Sequence, residues 1–261
     1  MTTTYDEAPA TAHVLRGRDL READLDAWMR AARTYLPPAP GRVLDLAAGT
    51  GRFSAALART SGTTVVVCEP DPTPGTARRA AVQPQVSVVG GATGALPFAD
   101  AAFDAVWAST VTHRIDDLPA FARELRRVLA PGGRLLLRGG FGPVFDLPLY
   151  RYFPRAWAPG SRDSLALAEV IDVLGGVGLH PAAHLKVGQQ YAEDADELLR
   201  KVRTRSHSRL HTLTDRDFRA GLRELESDLA DERLPLPVTE RLDLVVFRSS
   251  PRTRLQPDCV R

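Results

Sequence analysis

The sequence has little cysteine, no long apolar run and no export signal. Its two cysteines, Cys68 and Cys259, have neither the spacing of metal ligands nor that of a disulfide framework. No stretch approaches the roughly 20 apolar residues of a membrane span. The N-terminal stretch MTTTYDEAPATAH contains acidic residues and no apolar segment. These absences argue against a metal centre, a membrane span and secretion, and they predict a cytoplasmic protein with no membrane partner.

An excess of charge of one sign is also missing. The 261 residues include 34 basic and 32 acidic side chains, for a formal net charge of +2. Nucleic-acid-binding proteins usually carry a broad basic surface, so the charge balance gives no reason to expect a nucleic-acid partner. Composition leaves the oligomeric state open.

One local stretch is basic, RKVRTRSHSRLHTL at residues 200–213. It is either a solvated helix face or a lid contact to an anionic or carrier-bound substrate. We favour the solvated face, because the neighbouring stretches EDADELL and ELESDLADE would offset its charge.

What the first half of the chain does have is a regular alternation of apolar runs and helical patterns. Near-continuous apolar strands separated by helices are typical of a parallel sheet that is covered on both faces. The predicted strands are RVLDLA (42–47), TTVVVCEP (63–70), QVSVVG (85–90), FDAVWAST (103–110) and GRLLLRG (133–139). The predicted helices run from Asp19 to the LPPAP stretch and over 52–60, 74–82 and 117–129, the last with Asp116 as its N-cap.

The pattern changes after Gly140. We predict a helix at about 163–175, a strand near 181–189, two helices within 192–232 with Asp215 as N-cap of the second, and a last strand at 241–249. The organisation expected is one domain at 19–250, with a core at 42–140, an aromatic substrate loop at 141–160 and a helical insertion at 192–238. Residues 1–18 and 251–261 are expected to be a mobile leader and a tail.

The glycine-rich stretch DLAAGTG, 45–51, spans the end of the first predicted strand and the turn that follows it. A dinucleotide site would require G-x-G-x-x-G, but Ser54 occupies the place of the third glycine. Asp45 precedes the turn, where its carboxylate would repel a pyrophosphate and attract an ammonium or sulfonium group. Glu69 ends the second strand, where a carboxylate can accept hydrogen bonds from ribose hydroxyls. The pattern favours an adenosine ligand that carries positive charge.

Residues 42–140 resemble the class I SAM-dependent methyltransferases, in particular the small-molecule group with the short methyltransferase domain. The motifs are VLDLAAGTGRF, the acid in VVVCEPDP, GGATGALPFADAAFDAVWAST and LPAFARELRRVLAPGGRLLLRG. The resemblance implies an α/β fold with a doubly wound, Rossmann-like sheet of seven strands, ordered 3-2-1-4-5-7-6. The last strand would be antiparallel, with the helical insertion before it. The cofactor implied is S-adenosyl-L-methionine (SAM).

The resemblance also implies roles for individual residues. Asp45, Ala47, Gly49, Thr50 and Gly51 would surround the methionine part and the ribose edge, Glu69 would hold the ribose, Pro70 would lie near the adenine, and Ser109 and Thr110 would border the methionine. One position departs from the family pattern. Ala92 stands where family members place an aspartate that accepts from the adenine amino group, and Thr93 or a backbone carbonyl is the expected substitute.

His113 is the candidate general base, because it follows the fourth strand at the carboxyl end of the sheet. The alternative is that it caps or packs the turn there. Phe141, Phe145 and Tyr152 follow the fifth strand and are the candidate substrate contacts, unless this segment packs on its own aromatic side chains.

Three functions remain open at this point. The leading one is methyl transfer to a small, partly apolar acceptor such as a natural-product intermediate. The others are a SAM-binding protein that catalyses a non-methylating reaction, such as a cyclase or pericyclase, and a non-catalytic partner subunit.

Overall fold

The structure is a computed structural model that describes residues 20–49, 51–70, 83–110, 115–141, 147–157 and 166–251. The predicted leader, most of the predicted tail and the helix predicted at 74–82 lie outside these ranges.

A seven-stranded mixed sheet organises the described chain. Its order, β3-β2-β1-β4-β5-β7-β6, is the order that the resemblance implied, so the predicted doubly wound class is confirmed. The strands are β1 (Arg42–Leu46), β2 (Thr64–Glu69), β3 (Val86–Gly90), β4 (Phe103–Ser109), β5 (Leu129–Gly139), β6 (Leu179–Ala192) and β7 (Val238–Ser249).

The parallel half of the sheet brings the predicted site residues to one edge. Strand β1 pairs in parallel with β2 on one side and β4 on the other, and β4 pairs in parallel with β5. In this register Asp45 lies beside Val67 and Trp107, and Ser109 lies beside Arg138. Because register partners point to the same face of a sheet, the side chains of Asp45, Trp107, Ser109 and Arg138 share one face.

The helices described are α1 (Glu22–Ala32), α2 (Ser54–Ser61), α3 (Leu118–Val128), α4 (Leu149–Tyr152), α5 (Leu167–Gly176), α6 (Ala195–Arg203) and α7 (Asp215–Ala230). None of the helices within the described ranges combines the length and apolarity needed to cross a membrane.

Two predicted helix caps are wrong by one residue. Helix α3 is capped by Asp117, whose side chain accepts from the Ala120 amide at 2.8 Å, and not by Asp116. Helix α7 is capped by Thr214, which accepts from the Asp217 amide at 3.2 Å, and Asp215 is the first helical residue. In both cases the cap is the residue with an extended backbone three positions before the amide that it binds.

The chain forms two compact units. The sheet unit comprises residues 32–138, 167–185 and 244–261, and the helical unit comprises 1–31, 139–166 and 186–243, in each case within the described ranges. The predicted boundaries of a single domain with an insertion stay a prediction.

The helical unit has its own apolar core, in which α7 packs directly on α4. A Cβ added at Gly221 of α7 would lie 2.3 Å from the Tyr152 carbonyl oxygen and 2.6 Å from the Phe153 ring. Only glycine allows this approach. The buried members of this core are Leu147, Leu149, Tyr152, Phe153, Ala156, Trp157, Tyr191, Ala192, Leu198, Val202, Leu210, Leu213, Phe218, Leu225, Leu234 and Val238.

Candidate functional site

Asp45 lies near the carboxyl end of β1 and is almost completely buried, with 1% of its surface exposed. The Ser54 hydroxyl donates to its Oδ2 at 2.6 Å. Its Oδ1 is also buried, and no described residue hydrogen-bonds to it. The pKa of Asp45 is raised from 3.8 to about 7, chiefly by burial; the Ser54 hydrogen bond and the Arg52 charge oppose the rise, and the Glu69 charge adds to it. The site therefore contains a carboxyl group that would gain strongly from a cationic partner.

The glycine-rich turn bends the chain away from the end of β1. Ala47, Gly49 and Gly51 all have left-handed backbones, with φ of 54°, 59° and 69°. For an alanine this conformation costs about 1–2 kcal/mol, and the Ala47 amide is held by the Cys68 carbonyl at 2.9 Å. A Cβ added at Gly49 would meet no atom of the described residues within 4 Å. The turn thus leaves open space above Gly49. Thr50 lies outside the described residues.

Glu69 ends β2 beside this turn. Its side chain is buried, with 5% of the residue exposed, and its Oε1 accepts a hydrogen bond from the Gly49 amide. The carboxylate thereby links the end of β2 to the turn after β1. Pro70 follows and is exposed. The structure therefore brings two acidic groups and the predicted turn together at one end of neighbouring strands.

The segment around Ala92, where the sequence departs from the family pattern, forms a tight turn after β3. Ala92 and Ala95 pair as an isolated bridge, with the Ala95 amide donating to the Ala92 carbonyl at 3.1 Å. Ala92 is exposed and Thr93 is half-buried. A Cβ added at Gly91 would lie 2.6 Å from Pro97, so the turn is closely packed. The substitution of Thr93 or a backbone carbonyl for the missing aspartate stays a prediction.

The end of β4 is held by Arg138, a residue that the sequence analysis did not single out. The Arg138 Nη1 donates to the hydroxyls of Ser109 and Thr110, both at 3.1 Å. Its backbone carbonyl accepts from the Thr110 amide at 2.7 Å, which holds Thr110 at a φ of 54°. A left-handed backbone is rare for a β-branched residue and occurs mainly where the surroundings fix it.

The Arg138 guanidinium is buried and packs on an aromatic pair. It lies 5.1 Å from the centre of the Phe53 ring, which in turn lies 5.0 Å from the Trp107 ring. Phe53 directly precedes α2, so the ring covers the same sheet face that carries Asp45. The sequence did offer a signal for Arg138, because it is a charged residue at the end of the apolar run GRLLLRG. Its partners depend on strand register and could not be read locally.

The remaining predicted site residues fall in two groups. His113 and Phe145 lie outside the described residues, and their roles stay predictions. Phe141 and Tyr152 lie in the helical unit and are buried. The Phe141 amide donates to the Asp243 Oδ2 at 3.3 Å, and the Tyr152 hydroxyl donates to the Asp228 Oδ2 at 2.9 Å. Burial and the bond to Asp228 raise the pKa of Tyr152 to about 12.

The aromatic residues that follow β5 pack on one another and on the helical unit. Tyr150 and Trp157 have ring centres 4.4 Å apart, and Phe153 stacks on Phe218 at 5.8 Å. This agrees with the alternative in which the segment packs on its own aromatics. A substrate contact by Phe141 or Tyr152 stays a prediction.

The basic stretch at 200–213 is largely paired with acidic residues of its own unit. Lys201 is 3.0 Å from Glu197, Arg203 is 2.7 Å from Glu226, and Arg205 is 2.9 Å from Asp215. The predicted offset of this charge is therefore confirmed. Lys201 and Arg209 are buried, so the stretch is not uniformly a solvated face.

Sequence comparisons find methyltransferases. A family model described as a methyltransferase domain matches residues 44–137. A curated relative from Corynebacterium kroppenstedtii, named demethylmenaquinone methyltransferase, is 44% identical over 49% of this chain and 56% of its own. One of the same name from Thermus thermophilus is 38% identical over 51% of this chain and 65% of its own. The chain thus matches less than two thirds of the length of these relatives.

Solved structures share the fold. A protein of Anabaena variabilis, described as a methyltransferase from an antibiotic biosynthesis pathway, has a TM-score of 0.65 at 23% identity, covering 84% of this chain and 96% of that one. The [4+2]-cyclase SpnF has a TM-score of 0.56 at 18% identity, covering 90% of this chain and 85% of that one. At such identities the likeness concerns the fold alone.

The strand order, the acidic glycine-rich turn and the family match define a Rossmann-like methyltransferase domain. Residues 44–137 match the methyltransferase-domain family model, and the strand order of the sheet is the one that the resemblance to class I SAM-dependent methyltransferases implied. The residues at the end of β1 fit the cofactor of this family. Asp45 offers a buried oxygen that no described residue binds, Gly49 leaves space where a side chain would stand, and Glu69 adds a second carboxylate.

Proposed function

We propose that this protein transfers a methyl group from SAM to a small, partly apolar acceptor. The observation that carries the proposal is the buried Asp45 carboxyl group, whose Oδ1 has no described partner, beside a turn with open space above Gly49. A group built only for stability would be expected to satisfy both oxygens of a buried carboxylate. The pairing of an unmet acid with open space is typical of a binding site.

Three residues would hold the cofactor. Asp45 would face its positively charged groups, since an opposite charge favours the ionised carboxylate. Gly49 would let the backbone approach it closely, and Glu69 would accept from the ribose hydroxyls. When bound, SAM supplies a methyl group activated by a sulfonium. The protein then has to align an acceptor with that methyl and exclude water, which accounts for up to about 7–11 kcal/mol of barrier in well-aligned reactions.

The acceptor class is taken from the relatives. Those from Corynebacterium kroppenstedtii and Thermus thermophilus are named demethylmenaquinone methyltransferase, so a quinone-type ring is the first acceptor to test. A natural-product intermediate of similar size and polarity is the second. Such acceptors lose a proton on methylation, and His113 is the base that we propose for it. We place the reaction in the cytoplasm.

The test is to incubate the full chain with SAM and each acceptor and to measure S-adenosylhomocysteine together with the methylated product. We expect both to form in equal amounts, and Asp45→Asn to reduce them strongly. Asp104→Asn is the matched control. Asp104 lies near the opposite, amino end of β4, is exposed, and accepts from the Arg42 amide at 2.9 Å.

Two outcomes would overturn the proposal. If the protein does not bind SAM, SAM is not its cofactor and the proposal is wrong. Conversion of the acceptor to an isomer while SAM stays intact would move the protein to the non-methylating class.

A further inference from the structure

We propose that Ser54 is a positioning residue that orients Asp45 and tunes its ionisation, so that cofactor binding releases to solvent a proton that Asp45 carries in the free protein. The inference rests on the proposed function, because it requires SAM to bind at Asp45. It goes beyond that function in assigning a role to Ser54 and a proton to the binding step.

The Ser54 side chain hydrogen-bonds to Asp45. It is the first residue of α2, 2% exposed, and its hydroxyl donates to the Asp45 Oδ2 at 2.6 Å. A serine at a helix start often caps the helix through its side chain. Here the cap position belongs to Phe53, and the cap makes no side-chain hydrogen bond. Since the Ser54 bond occupies Oδ2, it leaves Oδ1 as the oxygen available to a ligand.

The surroundings of Asp45 disfavour its charge. From β2 the Glu69 carboxylate adds a like charge, while from the turn Arg52 is the opposing cation. From β4 the register neighbour is Trp107, which has no charge, and from α2 the contact is the Ser54 hydroxyl. Burial outweighs the two favourable contributions, which is why the pKa of Asp45 is about 7. The carboxyl group is therefore partly protonated near neutral pH.

A cation can pair only with the ionised form, so binding and deprotonation are coupled. With the bound form ionised, the contribution of Asp45 to the apparent affinity for SAM should rise with pH and level off above the pKa of Asp45 in the free protein. Between pH 6 and pH 8 the gain should be about tenfold for a group that titrates near 7.

Ser54 sets where this transition falls. Its hydrogen bond favours the ionised form, so removing the hydroxyl should move the midpoint of the pH profile upward by about one unit. A residue that merely packs α2 would change affinity equally at every pH. The position of the midpoint therefore separates a tuning role from a structural one.

The experiment is calorimetric titration of the full chain with SAM from pH 5.5 to pH 9, in two buffers of different ionisation enthalpy. We expect proton release near pH 7 that disappears by pH 9. The amino group of SAM also titrates in this range, so Asp45→Asn supplies the background. In wild-type protein, difference infrared spectra should show a protonated carboxyl band lost on binding and absent from Asp45→Asn.

Three variants separate a tuning role of Ser54 from a structural one. Ser54→Ala should bind about fivefold more weakly at pH 7 and regain wild-type affinity at high pH. Ser54→Thr, which keeps the hydroxyl, should keep the wild-type midpoint. Ser61→Ala is the matched control, since that hydroxyl in the same helix donates to the Leu57 carbonyl at 2.7 Å and should leave the profile unchanged.

SAM affinity that does not change between pH 6 and pH 8 would overturn the inference while leaving the proposed function standing. An equal loss at every pH in Ser54→Ala would also overturn it. Failure of wild-type protein to bind SAM at any pH would instead remove the proposed function itself. Should Asp45→Asn bind too weakly for calorimetry, the midpoint shift in Ser54→Ala decides.

Discussion

Two buried aspartates, one in each unit, have opposite surroundings. Asp228 of the helical unit is 3% exposed, and its carboxylate accepts from Tyr152 at 2.9 Å and from Arg233 at 2.8 Å, with Arg151 at 3.0 Å. The Tyr152 hydrogen bond and the two arginines hold the pKa of Asp228 below its usual range. Among the described residues the Asp45 carboxyl group accepts one hydrogen bond, from the Ser54 hydroxyl, and its pKa is raised. Burial alone therefore does not fix the state of a carboxyl group; its partners do.

Two glycines repeat the contrast. A Cβ at Gly221 would collide with the backbone of α4, whereas a Cβ at Gly49 would meet no atom of the described chain within 4 Å. In the helical unit glycine serves close packing, and in the sheet unit it leaves space. Close packing and a fully hydrogen-bonded carboxylate stabilise the helical unit, while the space above Gly49 and the unbonded oxygen of Asp45 are the features on which the proposed binding site rests.

The largest effect should come from filling the close contact in the helical unit. Gly221→Ala should lower the free energy of unfolding by about 3 kcal/mol, because α7 must move away from α4. Gly175→Ala in α5 is the control, since a Cβ there meets no atom within 4 Å and alanine favours a helix. Urea unfolding of both variants would check this. Equal stabilities would mean that the α4–α7 contact relaxes without cost.

The next effect concerns the pH dependence of stability. Between its ordinary pKa of 3.8 and its raised value of about 7, Asp45 keeps a proton in the folded protein that the unfolded chain has lost. Its contribution to stability is therefore complete at low pH and is lost as the pH rises through about 7. Asp228, with a lowered pKa, has the opposite sign and loses its contribution only as the pH falls below its usual range.

Asp45→Asn should remove the Asp45 contribution to this slope. Relative to wild type, its free energy of unfolding should improve by about 2 kcal/mol between pH 5 and pH 7. Urea unfolding at three pH values would measure it, with the exposed Asp104→Asn as control. The same slope in wild type and Asp45→Asn would contradict the raised pKa.

A smaller effect on stability, with a specific effect on binding, should follow from filling the space above Gly49. Gly49→Ala should cost about 1–2 kcal/mol of stability, because alanine disfavours the left-handed backbone. It should also weaken SAM binding at least tenfold, because the new methyl group occupies ligand space. Gly62→Ala is the matched control, with a φ of 69° and only Ala39 nearby. Equal SAM affinities for the two variants would show that SAM does not bind next to Gly49.

The smallest effect should come from Tyr152→Phe. Loss of the hydroxyl removes one hydrogen bond to Asp228 while the two arginines remain, so stability should fall by about 1 kcal/mol. Thermal unfolding and SAM titration would test this, and SAM affinity should not change. A large loss of acceptor binding with unchanged stability would instead support the substrate contact predicted for Tyr152.

The elements that could be predicted from the sequence are those that local pattern determines. The β-branched run at Thr64–Glu69 predicts a buried strand, and an acid among the last residues of such a strand falls at its carboxyl end, as Asp45 and Glu69 do. The turn itself required glycine at two of its left-handed positions, and the sequence displays them.

What could not be predicted depends on partners that are distant along the chain. Tyr152 donates to an acceptor 76 residues away on α7, a partner that its own aromatic stretch does not indicate. Arg138 meets Ser109 only through the register of β4 and β5. The caps at Asp117 and Thr214 failed for a different reason, since neighbouring residues of suitable chemistry compete and backbone geometry selects one.

The Asp45 Oδ1, which accepts no hydrogen bond from the described residues, also has a consequence for the lifetime of the protein in the cell. A ligand that binds only the folded chain stabilises it in proportion to the logarithm of its concentration. If cofactor binding offsets the loss of folding free energy that ionisation of buried Asp45 causes, the unfolded fraction of the protein falls as the cofactor concentration rises. Fewer chains are then exposed to proteases. Cellular abundance of the protein would then follow cofactor supply, so that depletion of SAM removes the catalyst as well as its reagent.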